Sequence, residues 1–172
     1  MEIKNQIDNI ILIGFMGTGK STVGKELVEQ LGWDFVDTDV CIVEEAGMTI
    51  PEIFERFGEA HFRDLEHRVL AKVLEQRQQI VSTGGGAVLR EENRTLMGSK
   101  GMVVALTATK ETIFDRVKQD ENRPLLQGGA WQKIEALLKE REHAYSFANL
   151  TIATDDLDKH QIAKRIMQAC SI

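Results

Sequence analysis

The chain is short of cysteine, has no excess of positive charge and contains no long hydrophobic run, and each shortage closes off a class of protein. Only Cys41 and Cys170 occur among 172 residues. Their spacing suits no metal site, and a lone pair in a chain of this size points to reduced thiols rather than a disulfide scaffold. Acidic residues outnumber basic ones 27 to 21, a formal net charge of -6, which repels the phosphate backbone whose neutralisation supplies most nucleic-acid affinity. Nucleic acid is therefore not an expected partner, and an anionic small molecule has to be held by a local cluster of Arg and Lys. Near the N-terminus only Ile10 to Ile13 is continuously apolar before Gly14 interrupts, too short for a signal-peptide core or a membrane span. The expected location is the cytoplasm, without a membrane partner. The sequence shows no internal repeat and no low-complexity tract. Its length predicts one domain over 1–172 that buries roughly 70% of its unfolded surface, and a monomer.

What is present is an alternation of strands and helices. Ile10-Ile11-Leu12-Ile13 reads as a strand buried on both faces. Val23, Leu27 and Leu31 recur at helical spacing and Gly32 stops the helix. Asp34 to Asp37 predicts a second strand. Thr49-Ile50-Pro51-Glu52 is a capping box with proline in the first turn, opening a helix through Phe57. A longer helix follows from about Ala60 to Glu75. Ile80-Val81 leads into Gly84-Gly85-Gly86, Met102 to Leu106 predicts another strand, and Thr109 to Lys118 another helix. Beyond a polar stretch from Gln119 to Ala130, a helix is expected to about Tyr145, a strand over Leu150 to Ala153, and a helix over Leu157 to Cys170. Five strands separated by helices predict a parallel sheet covered on both faces, with function at the C-terminal ends of its strands.

Gly14-Phe15-Met16-Gly17-Thr18-Gly19-Lys20-Ser21 fits G-x-x-x-x-G-K-[ST] and sits between a buried strand and an amphipathic helix, the context this phosphate-binding loop requires. Four fixed positions match by accident in under about one chain in a hundred of this length. The glycines let backbone N–H groups close around a β-phosphate at a helix N-terminus. Lys20 is placed to bridge the β- and γ-phosphates, and Ser21 to supply an oxygen to Mg²⁺. Gly17, Thr18, Gly19 and Thr22 complete the expected ATP contacts. The competing explanation is a glycine-rich turn with a solvated lysine.

Later residues narrow the substrate. Asp37-Thr38-Asp39, Phe62-Arg63 followed by Glu66, Gly84-Gly85-Gly86, Arg123-Pro124-Leu125-Leu126, and Arg141 with Tyr145 together closely resemble shikimate kinase, of the nucleoside monophosphate kinase-like P-loop group. The resemblance runs in order across nearly the whole chain. It implies a P-loop NTPase fold, a three-layer α/β/α sandwich with strand order 2-3-1-4-5. It also implies MgATP-dependent phosphorylation of the shikimate 3-hydroxyl, substrate-binding helices over about 38–66, and a mobile lid over about 119–130.

On this resemblance Asp37 helps to position the metal, and Asp39 accepts hydrogen bonds from a diol and orients the attacking hydroxyl. Asp39 also reads as an N-cap for a helix starting near Val40, a compatible role. Arg63 and Glu66, at i and i+3, share one side of a helix. Such a pair is ordinarily a surface ion pair of little weight, but the family pattern makes Arg63 a bidentate carboxylate fork oriented by Glu66. Arg141 falls on the apolar stripe of Ile134, Leu137 and Leu138, so its charge must snorkel or face a polar cavity, which fits a second carboxylate-binding arginine. The triple glycine lets a ring-shaped substrate approach the backbone. Arg123 is expected to stabilise the transferring phosphoryl as the lid closes, with a solvated loop arginine as the alternative. Arg116 matches a position where the family stacks an arginine on adenine, or it is a helix-surface charge. Phe54, Phe57 and Phe62 are expected mainly in the core, with one or two of them lining the ring-binding face as the alternative, and His61, His67, His143 and His160 at exposed helix positions. The chain departs from the family at Ala148-Asn149, where an aspartate commonly follows the alanine. The competing enzyme is a gluconate kinase-like P-loop kinase, and the competing class is a nucleotide-binding regulatory module without turnover.

Overall fold

The apolar run after Asn9 forms the central strand, and the rest of the molecule is arranged around it. The computed structural model describes residues 7–118 and 129–172. Strand β1 (Asn9–Ile13) is buried along its whole length and lies in the middle of a five-stranded sheet ordered β2-β3-β1-β4-β5. Its neighbours are β3 (Gln79–Ser82) and β4 (Met102–Thr107), with β2 (Asp34–Asp37) and β5 (Leu150–Ala153) at the edges. Every pairing is parallel, with Ile11 opposite Val81 on one side and Val103 on the other. The order is the expected 2-3-1-4-5.

A parallel sheet must be covered on both faces, and the period-2 alternation of β1 supplies both cores. Ile10 and Leu12 pack with Val23 and Leu27 of α1 (Lys20–Leu31) and with Ile162 and Ile166 of α7 (Lys159–Cys170). Ile11 and Ile13 pack on the opposite face with Leu70 and Leu74 at the end of α3 (Ile50–Val73), with Val88 of a 3₁₀ turn (Ala87–Leu89), and with Met97 of α4 (Glu91–Lys100). Each such isoleucine, fully buried, contributes about 1.5–3 kcal/mol. Two smaller clusters bracket the C-terminal rim of the sheet. Ile42 of α2 (Thr38–Ala46) packs on Ile53, Phe62, Leu65 and Val69 of α3. Phe15 packs on Ile113 and Val117 of α5 (Lys110–Val117) and on Ile134 of α6 (Ala130–Arg141). Among the described residues no helix is long and apolar enough to cross a membrane.

The differences from expectation have local causes. The two helices expected around Phe57 and Ala60 are halves of α3, broken at Gly58, whose backbone (φ 82, ψ 174) is non-helical. The capping box of Thr49 and Glu52 opens that element as expected. Asp37, not Asp39, is the N-cap of α2, accepting from the N–H groups of Asp39 and Val40. Helix α4 is not anticipated by the sequence reading, because its inward side consists of little more than Asn93 and Met97. Helix α6 ends at Arg141 rather than near Tyr145, and α7 begins at Lys159.

Candidate active site

The phosphate loop lies where β1 hands over to α1. Gly14, Gly17 and Gly19 all have positive φ, a geometry that side-chain-bearing residues resist. Thr18 is buried and donates its hydroxyl to the Phe15 carbonyl, so it braces the loop from within and leaves only its backbone to face a ligand. Lys20 Nζ donates to the carbonyls of Gly14 and Phe15 at 2.8 and 3.0 Å, which fixes the ammonium at the mouth of the loop. Arg116 donates to the Gly17 carbonyl at 2.8 Å and to Thr154. The buried Thr154 hydroxyl is in turn 3.0 Å from the Thr18 carbonyl. The far side of the loop is thereby tied to the end of β5.

A cavity of about 320 Å³ opens over this loop, lined by Met16, Lys20, Ser21, Asp37, Asp39 and Gly85 among others. Phosphate-loop residues and both aspartates thus share one space at the C-terminal rim. Ser21 and Asp37 offer a hydroxyl and a carboxylate, hard oxygen donors that suit Mg²⁺. The α2 cap uses Asp37 Oδ1, and the second carboxylate oxygen takes no part in that cap. Among the described residues no three His, Cys, Asp or Glu are placed to cage a metal ion, so the phosphates of a nucleotide must complete such a site.

The triple glycine follows β3 and borders the same cavity through Gly84 and Gly85. A methyl group on Gly84 would sit 2.7 Å from Asp39 Oδ1 and 3.3 Å from Glu66 Oε2. On Gly85 it would lie 3.0 Å from Arg141 Nη1 and 3.5 Å from the Gly14 carbonyl, and on Gly86 it would collide with the Arg63 guanidinium. Three successive residues without side chains therefore let a carboxylate, then one arginine, then another close on the loop. The loop's carbonyls are already engaged: Gly84 and Gly86 accept from Ala87 and Leu89, and Gly85 from the Tyr145 hydroxyl at 2.9 Å.

Arg63 is held by Glu66 at 2.8 Å and by Glu59 at 3.5 Å, and lies over the Phe62 ring. Glu66 is 2% exposed. Burial pushes its carboxyl above the usual range, Asp39 adds to this, and Arg63 and Arg141 pull the other way. Arg141 is itself buried, its Nε without a hydrogen-bond partner among the described residues, and stands over the Phe15 ring. A buried guanidinium with an orphaned donor is costly without an anion nearby. The buried Arg141 and the carboxylate-paired, partly exposed Arg63 thus stand beside one loop in an acidic protein.

Comparison with known proteins agrees with this geometry. A family model described as shikimate kinase matches residues 16–171. The chain belongs to the shikimate kinase family. It is 44% identical to a shikimate kinase of Thermodesulfovibrio yellowstonii over 93% of both chains. To that of Geobacter sulfurreducens it is 47% identical over 90% of this chain and 86% of the other. Among solved structures, shikimate kinase from Acinetobacter baumannii in complex with shikimate superposes with a TM-score of 0.89 at 41% identity, covering 94% of this chain and 92% of that one. The Aquifex aeolicus enzyme gives 0.82 at 37% identity, covering 95% and 96%. The chain therefore has the P-loop NTPase fold of an ATP- and Mg²⁺-dependent phosphotransferase family.

Within this family member, most residues singled out from sequence meet at one rim, with clear exceptions. Arg123 and the lid expectation at 119–130, except for 129 and 130, lie outside the described residues. Phe62 is in the core as expected, but Phe54 and Phe57 are 36% and 53% exposed: Phe54 packs one face on the Phe62 ring, and Phe57 lies against His61 at the wall of a surface cavity that Glu45 and Ala46 of α2 also line. Of the histidines, His67 is half-buried and bonded to Asn93, and His143 sits in a turn after α6. Asn149 is structural: its side chain accepts from Val103 N and its N–H donates to Val103 O, registering β5 on β4. Sequence reasoning missed Thr38, Ser82, Thr83 and Thr154. The first three have a recoverable signal, since each sits at or next to the C-terminal end of a strand. Thr154 directly follows β5 and shares that signal, but its partners Thr18, Thr107 and Arg116 come from distant parts of the chain.

Proposed function

We infer that the chain transfers the γ-phosphate of ATP to the 3-hydroxyl of shikimate, giving shikimate 3-phosphate and ADP on the way to chorismate and the aromatic amino acids. The observation that carries the acceptor assignment is the approach of Arg141 and Arg63 to consecutive glycines of a loop bordering the phosphate-loop cavity. Family membership supports the same substrate. Arg63 and Arg141 grip the carboxylate, and Gly84, Gly85 and Gly86 let the ring reach the backbone. Asp39 orients the attacking hydroxyl and receives its hydrogen bond. Gly17, Gly19, Lys20, Ser21 and Thr22, with the backbone of Thr18, hold the phosphates, and Lys20 stabilises charge on the transferring group. Ser21 and Asp37 would hold Mg²⁺, which when bound neutralises charge on the β- and γ-phosphate oxygens. Arg116 contributes at the adenosine end, and Arg123 is assigned to the transferring phosphoryl on sequence pattern alone. Positioning and charge stabilisation carry most of such a reaction.

We further assign the chain to the cytoplasm as a monomer that binds no nucleic acid or membrane. Its net charge and its free Cys41 and Cys170 thiols support this, and burial pushes Cys170 up to about 11. A coupled ADP-release assay across shikimate, gluconate, adenylate and other nucleoside monophosphates tests the acceptor. Turnover confined to shikimate is expected, and equal turnover with gluconate overturns the assignment.

A further inference from the structure

Away from the cavity, His67 Nδ1 lies 2.6 Å from Asn93 Oδ1, joining α3 to α4. Asn93 is 1% exposed, and its amide nitrogen donates to the Ala87 carbonyl at 2.9 Å. With the nitrogen end so engaged, the oxygen end faces His67, and Nδ1 must carry the proton. The bond therefore survives in both the neutral and the protonated imidazole.

The two ends of this link are not arbitrary points. Ala87 directly follows the triple glycine and closes it by donating to the Gly84 carbonyl at 3.1 Å. His67 directly follows Glu66 on the helix that carries Arg63. A second tie runs in parallel, from Arg90 to Asp64 at 2.6 Å. The guanidinium of Arg63 must clear Gly86 by a margin too small for a methyl group, so sliding α3 against the loop changes the acceptor site directly.

We propose that His67 and Asn93 form a positioning pair for the acceptor half of the site, holding the glycine loop in register with Arg63 and Glu66. The pair touches neither substrate and acts through the two elements it joins. The nucleotide half is fastened separately, through Arg116 and Thr154 to the phosphate loop, so disturbing His67 leaves ATP binding intact. The proposal rests on the acceptor reading given above.

The experiment measures KM for shikimate, KM for ATP, kcat and Tm in the parent and in variants. The parent is assayed first; no turnover of shikimate refutes the acceptor reading itself, and the positioning role falls with it. In an active parent, His67→Ala is expected to raise the shikimate KM about five- to thirtyfold, the consequence of one or two lost hydrogen bonds in a rigid site. The ATP KM and kcat should stay within about twofold. Asn93→Asp keeps the shape but cannot donate to Ala87, and should act in the same direction. His67→Gln, which can still donate to Asn93, should recover part of the loss. Combining His67→Ala with Asn93→Ala should add little beyond either alone. Arg68→Ala, on the same helix as His67, removes an ion pair to Glu45 of α2; it is the control and should leave both KM values unchanged. An unchanged shikimate KM in His67→Ala, with or without a fall in Tm, overturns the positioning role. So does an equal rise in both KM values.

Discussion

Gly86 and Arg63 occupy adjoining space with nothing between them, so the acceptor site is sensitive to a single methyl group. Gly86→Ala would drive the guanidinium away from the loop, and Arg63→Ala would remove it. Both should raise the shikimate KM by about tenfold or more, because a charge-assisted hydrogen bond is worth about 1.5–3 kcal/mol. The ATP KM should change far less in each, and steady-state kinetics varying both substrates separates the two. Parallel rises would mean that the loop and the arginine serve the nucleotide instead. Lys20 belongs to the other half. Its ammonium, 2.8 Å from the Gly14 carbonyl, sits at the mouth of the phosphate loop. Lys20→Ala should lower kcat by a factor on the order of 10²–10³ or more, as expected when a charge-stabilising donor is removed, with the circular dichroism spectrum retained. A near-normal rate would remove the phosphate loop from the mechanism.

At the scale of elements, α3 does two jobs with one break. Ile53 before the break and Phe62, Leu65 and Val69 after it all pack on Ile42 of α2, while the second half also carries Arg63, Glu66 and His67 toward the glycine loop. Gly58 permits the change of direction, since φ 82 with ψ 174 lies in a region that residues with a Cβ avoid. Among the described residues no atom would obstruct a methyl group there, so the cost of Gly58→Ala is conformational. It should lower stability by about 1–3 kcal/mol. Gly98 is the counterpart, exposed in the last turn of α4 with no described atom near and ordinary helical backbone. There the same substitution should raise stability by about 0.5–1 kcal/mol. Urea denaturation of both variants tests the contrast; a neutral Gly58→Ala would mean that the two halves of α3 can straighten.

The whole molecule responds to acid through a few carboxylates whose environments pull in opposite directions. Glu26 is lowered by its bonds to Gln30, His160 and Lys159, Glu52 by the Thr49 cap, Asp64 by Arg90, and Asp155 by Thr112 and Thr109. A lowered folded value means that stability is present above the ordinary carboxylate range, 4.5 for Glu and 3.8 for Asp, and is lost as the pH falls through it. Glu66 has the opposite sign. Raised by burial, it favours the folded state as it takes up a proton while the pH falls toward 4.5. The expected Tm profile is flat or slightly rising as the pH falls toward 4.5, then falls steeply below it. Glu66→Gln should remove the upper feature and keep the lower one. A Tm still climbing below about pH 4 would contradict the assignment of these partners.

The phosphate loop, the buried central strand and the α3 capping box were all legible in the amino-acid order, because each is specified by residues within a few positions of one another. The pairing of Arg63 with Glu66 was legible for the same reason, and the rest of the acceptor set was reached through its likeness to a family. Other features were not local. Helix α4 has almost no apolar stripe, and its place depends on Met97 reaching the β1 face and Asn93 reaching Ala87. Phe54 and Phe57 look like core residues by type, and only the packing around α3 leaves them exposed. The cap of α2 fell to Asp37 because the backbone turns there at the end of β2. Sequence alone thus determined which chemistry this chain carries, since that depends on residue types at short spacing. Only the tertiary structure decided that Gly85 and Gly86 stand against Arg141 and Arg63, because contacts between segments so far apart exist only once the parallel sheet has aligned its C-terminal ends.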